Sequence, residues 1–83
     1  MAGTGKGKTP LQVELGQRVR SARLNLGWSQ EALALEAEIN RTYIGSLESG
    51  QRNPALATLA RLARALGVDL GVLVAGLERL EHR

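Results

Sequence analysis

Residues 30–49 read QEALALEAEINRTYIGSLES, and they carry two short apolar stripes at helical period. Leu33, Ala34 and Ala37 form the first, Tyr43, Ile44 and Leu47 the second, and Ile39 lies between them. Two short helices with small residues at their crossing, joined by about four residues, make a helix-turn-helix. The second helix then turns Arg41, Thr42, Gly45, Ser46 and Ser49 outward, a polar face of little bulk. A DNA major groove admits such a face.

The punctuation around this stretch agrees with that reading. Ser29 is placed to cap the first of the two helices, over residues 30–37, and Glu31 in its first turn suits the dipole. Glu38-Ile39-Asn40 is the turn, with Ile39 pointing inward. Asn40 caps the second helix, 41–48, and Gly50 ends it. Before the pair, Leu15, Val19, Ala22 and Leu26 form one stripe of a first helix over about residues 12–26, stopped by Gly27 as a left-handed terminating residue. Trp28 is expected half-buried against the core. After the pair, Gln51-Arg52-Asn53-Pro54 is a turn, because Pro54 forces Asn53 out of helical geometry. A fourth helix over about 55–66 puts Leu56, Leu59, Leu62, Ala63 and Leu66 inward and Arg61 and Arg64 outward, and Gly67 stops it. Asp69 is expected to cap a fifth helix, about 70–80, whose stripe is Leu70, Leu73, Val74, Leu77 and Leu80. The fold expected is all-α: a compact five-helix bundle with a helix-turn-helix, over residues 11–83.

Eighty-three residues without cysteine cannot be stapled by a disulfide or bind zinc through thiolates, so packed helices, with a partner subunit's help, must supply the stability. No apolar run approaches the roughly 18 residues of a membrane span. The start, MAGTGKGKTP, lacks the hydrophobic segment of a secretory signal, so a cytoplasmic protein is expected. Net charge is +3, which favours anionic partners only weakly. Five of the basic residues, Lys6, Lys8, Arg18, Arg20 and Arg23, fall in residues 1–30 against Glu14 alone. Residues 1–10 read as a flexible basic arm that could touch DNA phosphates or a minor groove. Their GTGKGKT string is not a phosphate-binding P-loop: the glycine required five residues before Gly7 is Ala2, and no strand precedes it.

Arg20-x-x-Arg23-x-x-x-Gly27-x-Ser29-Gln30-Glu31, then Arg41-Thr42-Tyr43-Ile44, then Leu47-Glu48-x-Gly50-x-Arg52-Asn53-Pro54 together resemble the Cro/C1-type (XRE) helix-turn-helix family, which implies a lambda repressor-like DNA-binding domain. Within that family, Arg41-Thr42-Tyr43-Ile44 and the chain's small size look like restriction–modification controller proteins. Two positions depart from the pattern. Glu38 stands where the family usually has glycine, and Ala55 where a capping serine or threonine would serve better.

Base reading is expected from Arg41, whose guanidinium can donate twice to guanine, and from Thr42, whose methyl suits a thymine methyl. Ser46 lies one turn on, and Tyr43 belongs to the same set, its ring on the core edge and its hydroxyl toward the backbone. Phosphate contacts are expected from Ser29 and Gln30 at the amino end of the second helix. The resemblance adds Arg52 and Asn53, while Arg18 and Arg20 join if the first helix faces the duplex. Gln30 can also be read as a plain surface side chain, and Asn53 as a turn residue before proline. The family likeness implies a pairing of Arg23 with Glu48 that orients the recognition helix without touching DNA. Leu73, Val74, Leu77 and Leu80, on a helix over about 69–81, are assigned to a two-fold homodimer interface, with Arg79 and His82 at its rim. The expected partner is double-stranded operator DNA, with no cofactor, metal or small-molecule ligand. Neither paired carboxylates in an apolar setting nor a companion for the sole histidine supports an enzyme. The alternatives are the antitoxin of a toxin–antitoxin pair and a phage-type repressor.

Overall fold

The computed structural model describes residues 8–81; most of the basic arm and His82 lie outside them. Five helices follow one another: α1 (Pro10–Asn25), α2 (Gln30–Ala37), α3 (Arg41–Glu48), α4 (Leu56–Leu66) and α5 (Leu70–Val74), with a 3-10 turn at Leu77–Leu80. No strand occurs among the described residues. α1 starts two residues earlier than its apolar stripe indicates. Thr9 caps it, its hydroxyl accepting from the Gln12 amide at 3.1 Å, and Pro10 in the first turn has a fixed φ already suited to a helix.

The first four helices end alike. At Gly27, Glu38, Gly50 and Gly67 the chain turns left-handed, and the next amide bonds back to the carbonyl five residues before it. These bonds are Trp28 to Arg23 (3.2 Å), Ile39 to Ala34 (2.9 Å), Gln51 to Ser46 (2.9 Å) and Val68 to Ala63 (3.0 Å). Three of the four turning residues are glycine. Glu38, at φ 58°, does the same work with a side chain, so the turn keeps its usual shape and the glutamate accepts the strain. Glu38→Gly is expected to stabilise the fold by about 0.5–1 kcal/mol, raising the thermal midpoint by roughly 2–8 °C. A calorimetric scan with no rise would show that the turn relaxes around the glutamate.

Leu15, Val19, Leu33, Ala34, Ala37, Ile44, Leu47, Leu62, Ala63, Leu66, Leu73 and Leu77 make one core. Trp28 and Ile39 are half-buried beside it. Two residues of the expected stripes are outside. Leu26 is 45% exposed because α1 has already ended at Asn25, and Leu56 is 71% exposed at the first residue of α4. Ala55 caps α4 without any side-chain bond, as its type requires.

The expected fifth helix over 70–80 is broken. α5 stops at Val74, Ala75 is extended, and Gly76 turns left-handed at φ 77° before the 3-10 turn begins. Arg18 holds the break open: its Nη1 donates to the Ala75 carbonyl at 2.7 Å and to the Leu73 carbonyl at 3.3 Å. An unbroken helix would have used those carbonyls internally. Asp69 makes no side-chain cap either, because the Val72 amide bonds to the Asp69 backbone carbonyl at 2.9 Å.

α1 and α3 cross at Gly16. A Cβ there would fall 2.5 Å from the Leu47 carbonyl oxygen and 2.6 Å from that of Glu48, both backbone atoms that cannot swing aside. Gly16→Ala should therefore cost about 2 kcal/mol or more, although alanine is the better helix former by about 1 kcal/mol. Chemical denaturation measures this, and an unchanged or raised stability would contradict the crossing.

Candidate nucleic-acid interface

α3 begins at Asn40, whose Oδ1 accepts from the Thr42 amide at 2.7 Å, and it buries Ile44 and Leu47. That leaves Arg41, Thr42 and Ser49 exposed and Gly45 and Ser46 half-exposed, the face the sequence indicates. Nothing in the chain itself forces Gly45 to be glycine, since an added Cβ would make an ordinary 3.5 Å contact with Gln30 Oε1.

The only carboxylate of α3 is turned away from that face. Glu48 is buried, its Oε2 accepting from Arg23 Nε at 2.7 Å and its Oε1 from Arg23 Nη2 at 2.9 Å. Arg23 Nη1 also donates to the Trp28 carbonyl at 2.7 Å, so the guanidinium joins α1, the turn after it and α3. The hydrogen bonds to Glu48 raise the Arg23 pKa above its ordinary value; burial works against this and the carboxylate's charge adds to it. Arg23 stays charged at any pH the fold meets. Removing its partner would leave that charge buried alone, a loss of about 3–5 kcal/mol for such pairs. Glu48→Ala should thus lower the thermal midpoint by more than roughly 10 °C, with DNA affinity falling because α3 is no longer held. Full stability in the variant would show that the pair is dispensable.

Gln30, expected at a phosphate, is half-buried, and its Nε2 donates to Glu48 Oε1 at 3.1 Å. The bond was not legible in the sequence; it fixes the amide across α3 at Gly45, with a second N–H still free to donate. Ser29 accepts from the Ala32 amide at 3.0 Å as the cap of α2, which leaves its O–H for a phosphate oxygen. Arg41 Nε lies 3.5 Å from Glu31 Oε2, both largely exposed. Such a contact contributes little, and it rests Arg41, expected to read bases, against a counter-charge.

Ser46, Tyr43 and Arg52 form one cluster. Ser46 Oγ donates to the Tyr43 carbonyl at 3.0 Å and accepts from Arg52 Nε at 2.9 Å. The Arg52 guanidinium lies over the half-buried Tyr43 ring, 5.0 Å from its centroid, a cation–π contact. The hydroxyl of Ser46 is therefore occupied in orienting Arg52, which keeps both Nη groups for a ligand. Asn53 is exposed in the loop before Pro54. Arg20 is exposed on α1, whereas Arg18 is committed to Glu14 (3.0 Å) and to the α5 carbonyls, and so is withdrawn from the phosphate set.

The interface assignment on the last helix needs correction. Leu73 is fully buried and Leu77 only 6% exposed, because the break at Gly76 turns Leu77 into this chain's own core. Val74 and Leu80 are half-buried, and the large apolar residue that α5 does expose is Val72, at 55%.

A family model described as helix-turn-helix matches residues 19–73. Control protein C.BamHI of Bacillus amyloliquefaciens is 42% identical over 60 residues, 71% of this chain and 74% of that protein. The chain belongs to the Cro/C1-type (XRE) helix-turn-helix family of DNA-binding regulators. It is a transcription regulator and not an enzyme. Control protein C.SmaI of Serratia marcescens is 45% identical over 60 residues, 72% of this chain and 71% of that one. Among solved structures, the restriction–modification controller C.AhdI of Aeromonas hydrophila superposes with a TM-score of 0.73 at 42% identity, over 75% of this chain and 94% of that one. The controller C.Esp1396I, solved as a tetramer on its natural 35 base-pair operator, gives 0.76 at 28% identity, over 87% of this chain and 95% of that one. No helix among the described residues is long and apolar enough to cross a membrane.

Proposed function

We propose that this chain controls a restriction–modification system, binding a near-palindromic operator upstream of its own gene as a homodimer in the cytoplasm. One observation carries the DNA-facing part. Arg41, Thr42, Ser46 and Arg52 lie along one side of the helix-turn-helix, and the single α3 carboxylate is buried under Arg23. Such a face donates to base edges and phosphates, and its one exposed carboxylate, Glu31, rests against Arg41. Arg41 is the base reader and Thr42 the methyl contact. Gln30, Ser29, Arg52 and Asn53 position the duplex. The names of the relatives favour a controller over the antitoxin and phage-repressor readings.

With Leu73 and Leu77 inside the monomer, the dimer surface passes to Val72, Val68 and Leu26, which line a groove of about 570 Å³ between α1 and the α4–α5 corner. A two-fold dimer that reads adjacent half-sites must hold its recognition helices about 34 Å apart, one turn of DNA.

Fluorescence anisotropy against the upstream DNA, beside a scrambled duplex, tests the proposal. Binding at least about 10³-fold tighter to the upstream site is expected. Arg41→Ala should lose roughly 5–150-fold of that preference per half-site while keeping its affinity for the scrambled duplex. Equal weak binding to both DNAs by the unaltered chain would refute autoregulation.

A further inference from the structure

α1 is pinned to α3 at two places. Gly16 lies against the Leu47 and Glu48 carbonyls, and at Gly50 an added Cβ would sit 3.1 Å from Val13 Cγ2. So fixed, α1 places Lys8 and Thr9, just before it, beside the carboxyl end of the recognition helix. Lys8 shares a cleft of about 420 Å³ there with Ser46, Gln51 and Arg52. Lys8, Gln51 and Arg52 are all exposed.

The wall of this cleft offers three donors, an ammonium, a guanidinium and an amide, and no carboxylate; the Ser46 hydroxyl is taken by the Tyr43 carbonyl and Arg52. Clefts elsewhere differ. Glu14 lines the groove between α1 and the α4–α5 corner, and Glu36 and Glu38 line the one beside Arg61 and Arg64. Ser46 already aims Arg52 by accepting from its Nε, so the Nη groups are left for whatever enters.

We propose that Lys8, with Gln51 and Arg52, forms a further phosphate site: a phosphodiester of the DNA backbone just beyond the bases that α3 reads. The site extends the footprint past the helix-turn-helix and rests on the reading that the outer face of α3 meets DNA. Lys8 binds as a point charge without base selectivity, so it adds to affinity and salt dependence and leaves sequence preference alone.

The test is the full chain and Lys8→Gln, titrated by anisotropy with operator and scrambled duplexes between 50 and 200 mM salt. A homodimer carries two such lysines, so loss of both phosphate contacts should flatten the slope of log K against log salt by about two. It should also weaken both duplexes by a similar factor, roughly thirty-fold near 0.15 M salt. Thermal unfolding is expected to be unchanged, since Lys8 is exposed. An unaltered slope and affinity in Lys8→Gln, with normal binding by the parent chain, would overturn this site alone. A loss confined to the operator would overturn it too, because Lys8 would then be reading bases. Selective displacement of DNA by inorganic phosphate, at constant ionic strength against chloride, would reassign the cleft to a free anion. Failure of the parent chain to bind either duplex would instead bring down the DNA reading itself.

Discussion

Glu48, at the last residue of α3, has both carboxylate oxygens committed: one to Arg23 Nε, the other to Arg23 Nη2 and Gln30 Nε2. Helices α1, α2 and α3 therefore converge on one buried acid. A paired charge of this kind adds little net stability over a well-packed apolar pair, but breaking it is costly. Its consequence is geometric. α3 can neither roll nor slide along α1 without stranding a charge, and Gly16 brings the two backbones close enough for the pair to form. The outward face of α3 is thereby fixed relative to the amino end of α2, where Ser29 and Gln30 would meet a phosphate.

Charge is sorted on either side of this clamp. Lys8, Arg41 and Arg52 gather on the side of the recognition helix with Glu31 against Arg41, while Glu36 and Glu38 sit toward α4 near Arg61 and Arg64. A net charge of +3 is modest, so attraction to DNA depends on this sorting more than on the total. Within the basic face the cations are held differently. Arg52 is oriented by Ser46 and Tyr43, whereas Arg41 rests on the exposed Glu31 and can swing away at little cost. In the proposed complex Arg52 would be a positioned phosphate clamp beside a mobile base reader, Arg41, so that phosphate contacts set the register in which base contacts are tried.

The helix-turn-helix was legible because period and caps agree. Ser29, Asn40 and the glycines at 27, 50 and 67 mark ends that the structure reproduces. Stripes alone misled at the edges: Leu26 and Leu56 continue the apolar spacing but fall where a helix has ended or just begun. The fifth helix was overextended for the same reason, since spacing does not register that Arg18, more than fifty residues away in sequence, takes the carbonyls at Leu73 and Ala75. Gly16 left a signal, a lone glycine inside a helical stripe, though not which backbone it admits. The bonds of Gln30 to Glu48 and of Ser46 to Arg52 join separate elements, and nothing local in the sequence encodes them.

Residue-resolved amide shifts of the labelled chain, recorded as operator DNA is added, test the central claim most directly. That claim is that the face set by the Arg23–Glu48 clamp is the one that meets the duplex. Shifts should concentrate at Ser29, Gln30, residues 41–46 and residues 51–53, with Glu36, Glu38 and Arg64 unmoved. Shifts centred on the α2–α4 side, or spread evenly over all five helices, would contradict it.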